Sequence, residues 1–199
     1  MEVRAISFGH TNRINYNAPV ILGFSAICFF VMIFNNFTGG WLNHEFFMVY
    51  RSSPTTIGFW IRLFGHSLGH IDWAHFSGNI LAILMIGPAL EERCGSLPLF
   101  LMMFATAVII GVLNLTFFST SLLGASGVVF MVMVLSAIVS YQQRSLPMTL
   151  ILVAVVYIGK EIVTGILVED NISQFSHVVG GIVGAIFGLF LIKHQDHWY

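Results

Sequence analysis

Charge is what this sequence has least of. Of its 199 residues, 8 are lysine or arginine and 9 are aspartate or glutamate, 9% in all. Soluble domains run at about 25%. Apolar residues make up 57%, and the mean hydropathy is +0.87. So few polar groups cannot cover the surface of a water-soluble domain, and the chain must use lipid as its solvent. The net charge of -1 offers no basic patch to neutralise phosphates, which excludes a nucleic-acid binder driven by charge. Cysteine is scarce too. Cys28 sits in an apolar run and Cys94 in a short charged turn. Both read as free thiols rather than a disulfide framework. The sequence shows no internal repeat, and so none of the inverted halves expected of a small transporter.

Long apolar runs are what it has. A spanning helix needs about 20 such residues. Six candidates lie at 18–37, Trp73–Leu90, 97–118, Ser126–Tyr141, Pro147–Val168 and Ser176–Ile192. Their glycine-rich, helix-period pattern is unlike the alternating strands of about 10 residues that build a membrane barrel. The first run follows Arg4 and Arg13. It is long and lacks a small-x-small cleavage pattern, so it reads as a retained helix rather than a signal peptide. The connection 38–72 carries Gly39-Gly40-Trp41 and Ser52-Ser53-Pro54. It is polar enough to lie outside hydrocarbon and aromatic enough to lie at the interface.

Basic residues set orientation. With the N-terminus inside, Arg4, Arg13, Arg93, Arg144 and Lys193 fall on the inner side, against Arg51 and Arg62 outside; Glu169 and Asp170 make the last outer loop acidic. The expectation is an all-α membrane protein, a six-transmembrane-helix bundle with both termini cytoplasmic. Residues 1–17 form a cytoplasmic segment, 18–192 one membrane domain and 193–199 a short cytoplasmic tail.

Polar side chains inside a membrane are rare and usually functional. One cluster is Arg62, His66, His70, Asp72, His75 and Asn79. His75 and Asn79, four apart, share one helix face. The plain alternative is a polar loop whose histidines are satisfied by backbone. A second cluster, Gly124-Ala125-Ser126-Gly127, opens the fourth run. Its glycines leave the hydroxyl uncovered and let backbone come close. Small residues are also common at helix contacts in membranes. The third is His177 with Gly180, Gly184 and Gly188 on one side of the last helix. Under the inferred topology all three clusters fall in one outer-leaflet layer, about one helical turn deep.

A serine hydroxyl needs a base to become a nucleophile, and His177 is placed to be one. No acidic residue accompanies it in the fourth or sixth run, so the residues read as a Ser126–His177 dyad. Acyl transfer also needs donors for the oxyanion. His75, Asn79 and the backbone N–H of Ser126 fit that role. Lys160 and Glu161 inside the fifth run point about 100° apart on a helix and do not simply pair with each other. They either snorkel, pair with other spans, or tune the opening of the bundle.

The pattern Arg-x3-His-x3-His-x4-His-x3-Asn, then GxSG, then a late His-x2-Gly-x3-Gly resembles the rhomboid intramembrane serine proteases over residues 18–192. The resemblance implies a six-helix bundle with a water-filled cavity open to the outside. It implies Ser126 as nucleophile, His177 as general base, and His75 and Asn79 as oxyanion donors. Gly124, Gly127, Phe130, Gly180, Gly184 and His70 would support the site. Glu91, Arg93 and Gly95 match a structural Glu-x-Arg-x-Gly turn. The long first connection corresponds to a membrane-lying loop and the fifth span to a lateral gate. Departures are Ile61 between Trp60 and Arg62, Ser176 for alanine, Phe130 for tyrosine and Val134 for glycine. The last predicts looser packing between the fourth and sixth spans.

The implied activity is hydrolysis of a peptide bond in or near a transmembrane segment of a membrane-protein substrate, through an acyl-enzyme. It needs no metal, no cofactor and no nucleic acid. The setting is a bacterial-type inner membrane, with the site opening to the outer side. Two rivals stand beside it. One is a catalytically silent rhomboid-like binder of transmembrane helices. The other is a metal protein using His66, His70 and His75, although the HExxH arrangement is absent.

Overall fold

The computed structural model describes residues 18–142, 146–167 and 171–194. Each of the six apolar runs becomes a helix. In chain order these are α1 (Pro19–Phe37), α3 (Trp73–Cys94), α4 (Ser96–Phe117), α5 (Ser126–Gln142), α6 (Met148–Leu167) and α7 (Asn171–His194). Helix α2 (Ile57–Gly65) and a π-helical turn, Asn43–Phe47, lie in the long connection, which the sequence suggested as a loop. Among the described residues, four stretches are long and apolar enough to cross a membrane: α1, α3, α4 and Gln174–Lys193 of α7; Ser126–Tyr141 is a shorter apolar helix. Large apolar side chains such as Phe30, Phe34, Leu81, Phe100, Val155 and Phe190 are exposed. Such a belt is stable only against lipid tails, so the chain is an integral membrane protein. Residues 1–17, with Arg4 and Arg13, the last five residues, 195–199, and Arg144, Glu169 and Asp170 lie outside the described residues; Lys193, expected in the tail, belongs to α7.

The helix ends show why the segments start and stop where they do. Asp72 caps α3, its Oδ1 accepting the His75 N–H at 2.7 Å, the usual N-cap economy. Pro19 opens α1, where a missing N–H costs nothing. The next two N–H groups, of Val20 and Ile21, donate to the two carboxylate oxygens of buried Glu91 at 3.0 and 2.9 Å. A carboxylate at a helix N-terminus also meets the positive end of the helix dipole. Arg93 Nη1 donates to Ser140 Oγ on α5 at 2.9 Å. Glu91 and Arg93 thus lie in the last turn of α3 rather than in a turn after it, and Gly95 at φ +83° ends the helix. One pair of residues ties α3 to both α1 and α5.

α5 is the central helix, buried along most of its length. Its tightest partner is α7. In lipid, helices associate by van der Waals contact between backbones rather than by hydrophobicity, so small residues mark the seam. A Cβ on Gly180 would lie 2.0 Å from the Gly127 carbonyl oxygen, one on Gly184 2.6 Å from that of Met131, and one on Gly188 2.8 Å from Ile138. Packing is looser at Val134 than at these three glycines. The valine side chain lies 3.7 Å from where a Cβ of Gly181 would sit, so bulk on α5 faces a glycine on α7.

The long connection is pinned by polar contacts. Arg62 Nη1 donates to the Glu45 carbonyl at 2.9 Å and Nη2 to Ser52 Oγ at 2.8 Å, and its guanidinium lies over Tyr50, 4.3 Å from the ring centroid. Asn43 Nδ2 donates to the His70 carbonyl at 2.8 Å. Val49 pairs with Leu122 in an isolated antiparallel bridge. That bridge holds the connection against the segment leading into Ser126.

Candidate active site

Ser126 is the first residue of α5. The carbonyl of Ala125 accepts the Val129 N–H at 2.9 Å, so the N–H groups of Ser126, Gly127 and Val128 have no acceptor within the helix. These donors and the helix dipole favour negative charge there. The preceding turn is tightly specified. Gly124 has φ +135°, and a Cβ on it would lie 2.5 Å from Cε1 of His75. Its N–H donates to the His66 carbonyl at 2.9 Å. The imidazole of His75, in the first turn of α3, therefore packs directly on the Gly-Ala-Ser turn.

His66 and His70 hold this corner rather than facing solvent. His66 Nε2 bonds the Ala107 carbonyl of α4 at 2.9 Å, the backbone-satisfied alternative left open by the sequence. His70 is fully buried, its ring edge-on to His75 and Phe76 at 5.2 and 5.5 Å. Burial holds both imidazoles below their ordinary range, His70 at about 3 with help from neighbouring His75. Both are therefore neutral.

Asn79 lies one turn below His75 and is 1% exposed. Its Oδ1 accepts a hydrogen bond from the hydroxyl of Tyr157 on α6. That contact fixes the amide and leaves Nδ2, a buried donor, without a hydrogen-bond partner among the described residues. An unmet buried donor costs free energy unless something transient satisfies it.

His177 is buried in the second turn of α7, because that helix begins at Asn171, five residues earlier than the apolar run suggested. Its ring stacks on Phe130 of α5, centroids 4.4 Å apart and planes 17° apart. Phe130 in turn meets Tyr157 edge-on at 5.7 Å. Ser126 and His177 flank the Gly127–Gly180 backbone contact from opposite helices.

The structure brings one more residue to the ring. Glu161 Oε2 of α6 lies 3.5 Å from His177 Nε2, and both side chains are largely buried. The fourth and sixth runs hold no such acid; it arrives from the fifth. Tyr157 was missed altogether. Their spacing was the available signal, since two polar residues four apart share one face of α6. Lys160 points elsewhere, its Nζ 2.7 Å from where a Cβ of Gly78 would sit, so neighbouring Lys160 and Glu161 reach different helices. The histidines do not gather as ligands: among the described residues no three His, Cys, Asp or Glu side chains are grouped to hold a metal.

The family model described as Rhomboid domain matches residues 57–194. The chain belongs to the rhomboid family. The match takes in α2 through α7 and every residue of the site described above. No curated protein matches the chain. Two positions at which this rhomboid departs from the family pattern lie at the site. Phe130 supplies the ring that stacks on His177, and Ser176 is buried beside Gly127, its backbone carbonyl 3.1 Å from where a Cβ of that glycine would sit.

Proposed function

We propose that this rhomboid protein is an intramembrane serine protease that cleaves membrane-protein substrates in or near their transmembrane segments. The observation that supports the reading is the stack of His177 on Phe130, one helical turn after Ser126 on α5 and beside the Gly127–Gly180 contact. Ser126 Oγ attacks the scissile carbonyl and its proton passes to His177. The tetrahedral oxyanion is held by the Ser126 N–H, His75 and the unmet Nδ2 of Asn79. Collapse releases the amine, which takes the proton from His177, and leaves an acyl-enzyme. A water then delivers its proton to His177, attacks the ester and frees Ser126. A helical substrate hides its backbone in hydrogen bonds, so local unwinding precedes attack and glycine or proline near the bond favours it.

All six apolar helices span in this reading, with the membrane domain at 18–192, both termini cytoplasmic and the site opening to the outer side of a bacterial-type inner membrane. The test is cleavage of a transmembrane test substrate in liposomes by wild type and by Ser126→Ala, His177→Ala and Asn79→Ala, with and without chelator. The first two abolish cleavage, the third weakens it and chelator changes nothing. Equal cleavage by Ser126→Ala overturns the mechanism. A protein that binds the substrate helix but never cleaves it, with Ser126 inert to serine-directed reagents, is the silent binder instead.

A further inference from the structure

The position of Glu161 is the feature the dyad does not explain. An acid that orients a catalytic histidine takes one ring nitrogen and leaves the other to the hydroxyl. Here the carboxylate lies at Nε2, the tip of the ring, 3.5 Å away. A carboxylate at that tip competes with a serine hydroxyl for it, and in the interior such a contact is little screened. Glu161 reaches it from α6, which leans on α3 and touches α5 and α7 only lightly, whereas α5 and α7 are locked together. A Cβ on Gly159, in the same turn of α6, would meet nothing within 4 Å. The acid is thus mounted on a helix packed loosely against α5 and α7, and its target on one packed tightly.

We propose that Glu161 is an autoinhibitory latch, holding Nε2 of His177 away from Ser126 until a substrate helix displaces α6. Displacement then does two things at once: it opens a way in from the lipid and frees the base. A rhomboid held this way is slowed in its idle state and reaches its full rate only where a helix has entered. The inference rests on the Ser126–His177 reading and concerns the regulation of that same site.

The test is the rate at which a fluorophosphonate labels Ser126. The reagent is small and needs no helix to enter. Ser126 Oγ bonds to phosphorus, fluoride leaves and the hydroxyl proton passes to His177. Wild type, Glu161→Gln, Glu161→Asp and Ser126→Ala are compared in detergent, with the adduct mapped by peptide mass and thermal unfolding followed in parallel. Glutamine keeps the shape and loses the charge, so fold is preserved. The latch predicts that Glu161→Gln is labelled roughly tenfold faster than wild type, the factor expected from releasing one charge-assisted contact. Glu161→Asp, whose shorter arm reaches less far, falls between. Slower labelling of Glu161→Gln makes Glu161 an orienting acid and overturns the latch alone, as does an unchanged rate. Absence of any Ser126 adduct in every form overturns the nucleophile reading itself.

Discussion

Gly180→Ala is the substitution whose consequence follows most directly from the geometry. The new Cβ would stand 2.0 Å from the Gly127 carbonyl oxygen, 2.9 Å from its carbon and 3.1 Å from its Cα. Ordinary contact is about 3.5 Å. The obstacle is backbone, so no side chain can swing aside, and α7 must retreat from α5 by about 1 Å or more. His177 lies three residues upstream on the same rigid helix and moves with it. A misplacement of about 1 Å costs about 100-fold in rate, and overpacking costs about 1–3 kcal/mol of stability. The assay is kcat/KM for a transmembrane test substrate in liposomes, with thermal unfolding in detergent. The control is Gly23→Ala in α1, where a Cβ meets nothing within 4 Å and alanine favours the helix by up to about 1 kcal/mol. Gly180→Ala retaining half of wild-type kcat/KM, or harming the protein no more than Gly23→Ala, refutes the reasoning.

Other outcomes follow from named contacts. Tyr157→Phe removes the hydroxyl that orients Asn79; kcat falls roughly fivefold, the worth of about 1 kcal/mol, with KM little changed, and an unchanged kcat would detach Tyr157 from the site. Glu91→Gln loses the charge that serves both N–H groups opening α1 and lowers unfolding stability by about 2 kcal/mol; an unaltered melting temperature would contradict the cap. His70, buried and beside His75, is held at about 3 rather than 6.5, so the unfolded chain binds its proton first. Stability is full above pH 6.5 and drains as pH falls toward 3, by up to about 1.4 kcal/mol per pH unit; denaturant midpoints measured from pH 7 to 4.5 should fall less steeply in His70→Gln than in wild type.

Much of the site could be read from the chain because its signals are local. Ser126 lies in a four-residue turn, His75 and Asn79 share a face by spacing alone, and Gly180, Gly184 and Gly188 announce a packed seam. The register of the seam was not local: that Gly180 meets Gly127, and that Val134 meets a glycine, depends on how two helices slide together. The contacts of Tyr157 and Glu161 were hidden for a related reason. Each touches a residue on another helix, and nothing in a linear apolar run says which neighbour α6 will face. Helix ends were misplaced where polar residues continue a helix past its apolar stretch, as at Glu91–Cys94 and before Ser176. The short helix α2 was absorbed into a loop because nine residues, Ile57–Gly65, are too few to stand out by periodicity.

The central claim is that Ser126 performs the cleavage with His177 as its base. Its most direct measurement places wild type and Ser126→Ala side by side in liposomes carrying one transmembrane test substrate, with products identified by mass. The account predicts a defined pair of fragments from wild type and none from Ser126→Ala at equal reconstitution. The same fragments at the same rate from Ser126→Ala would contradict it.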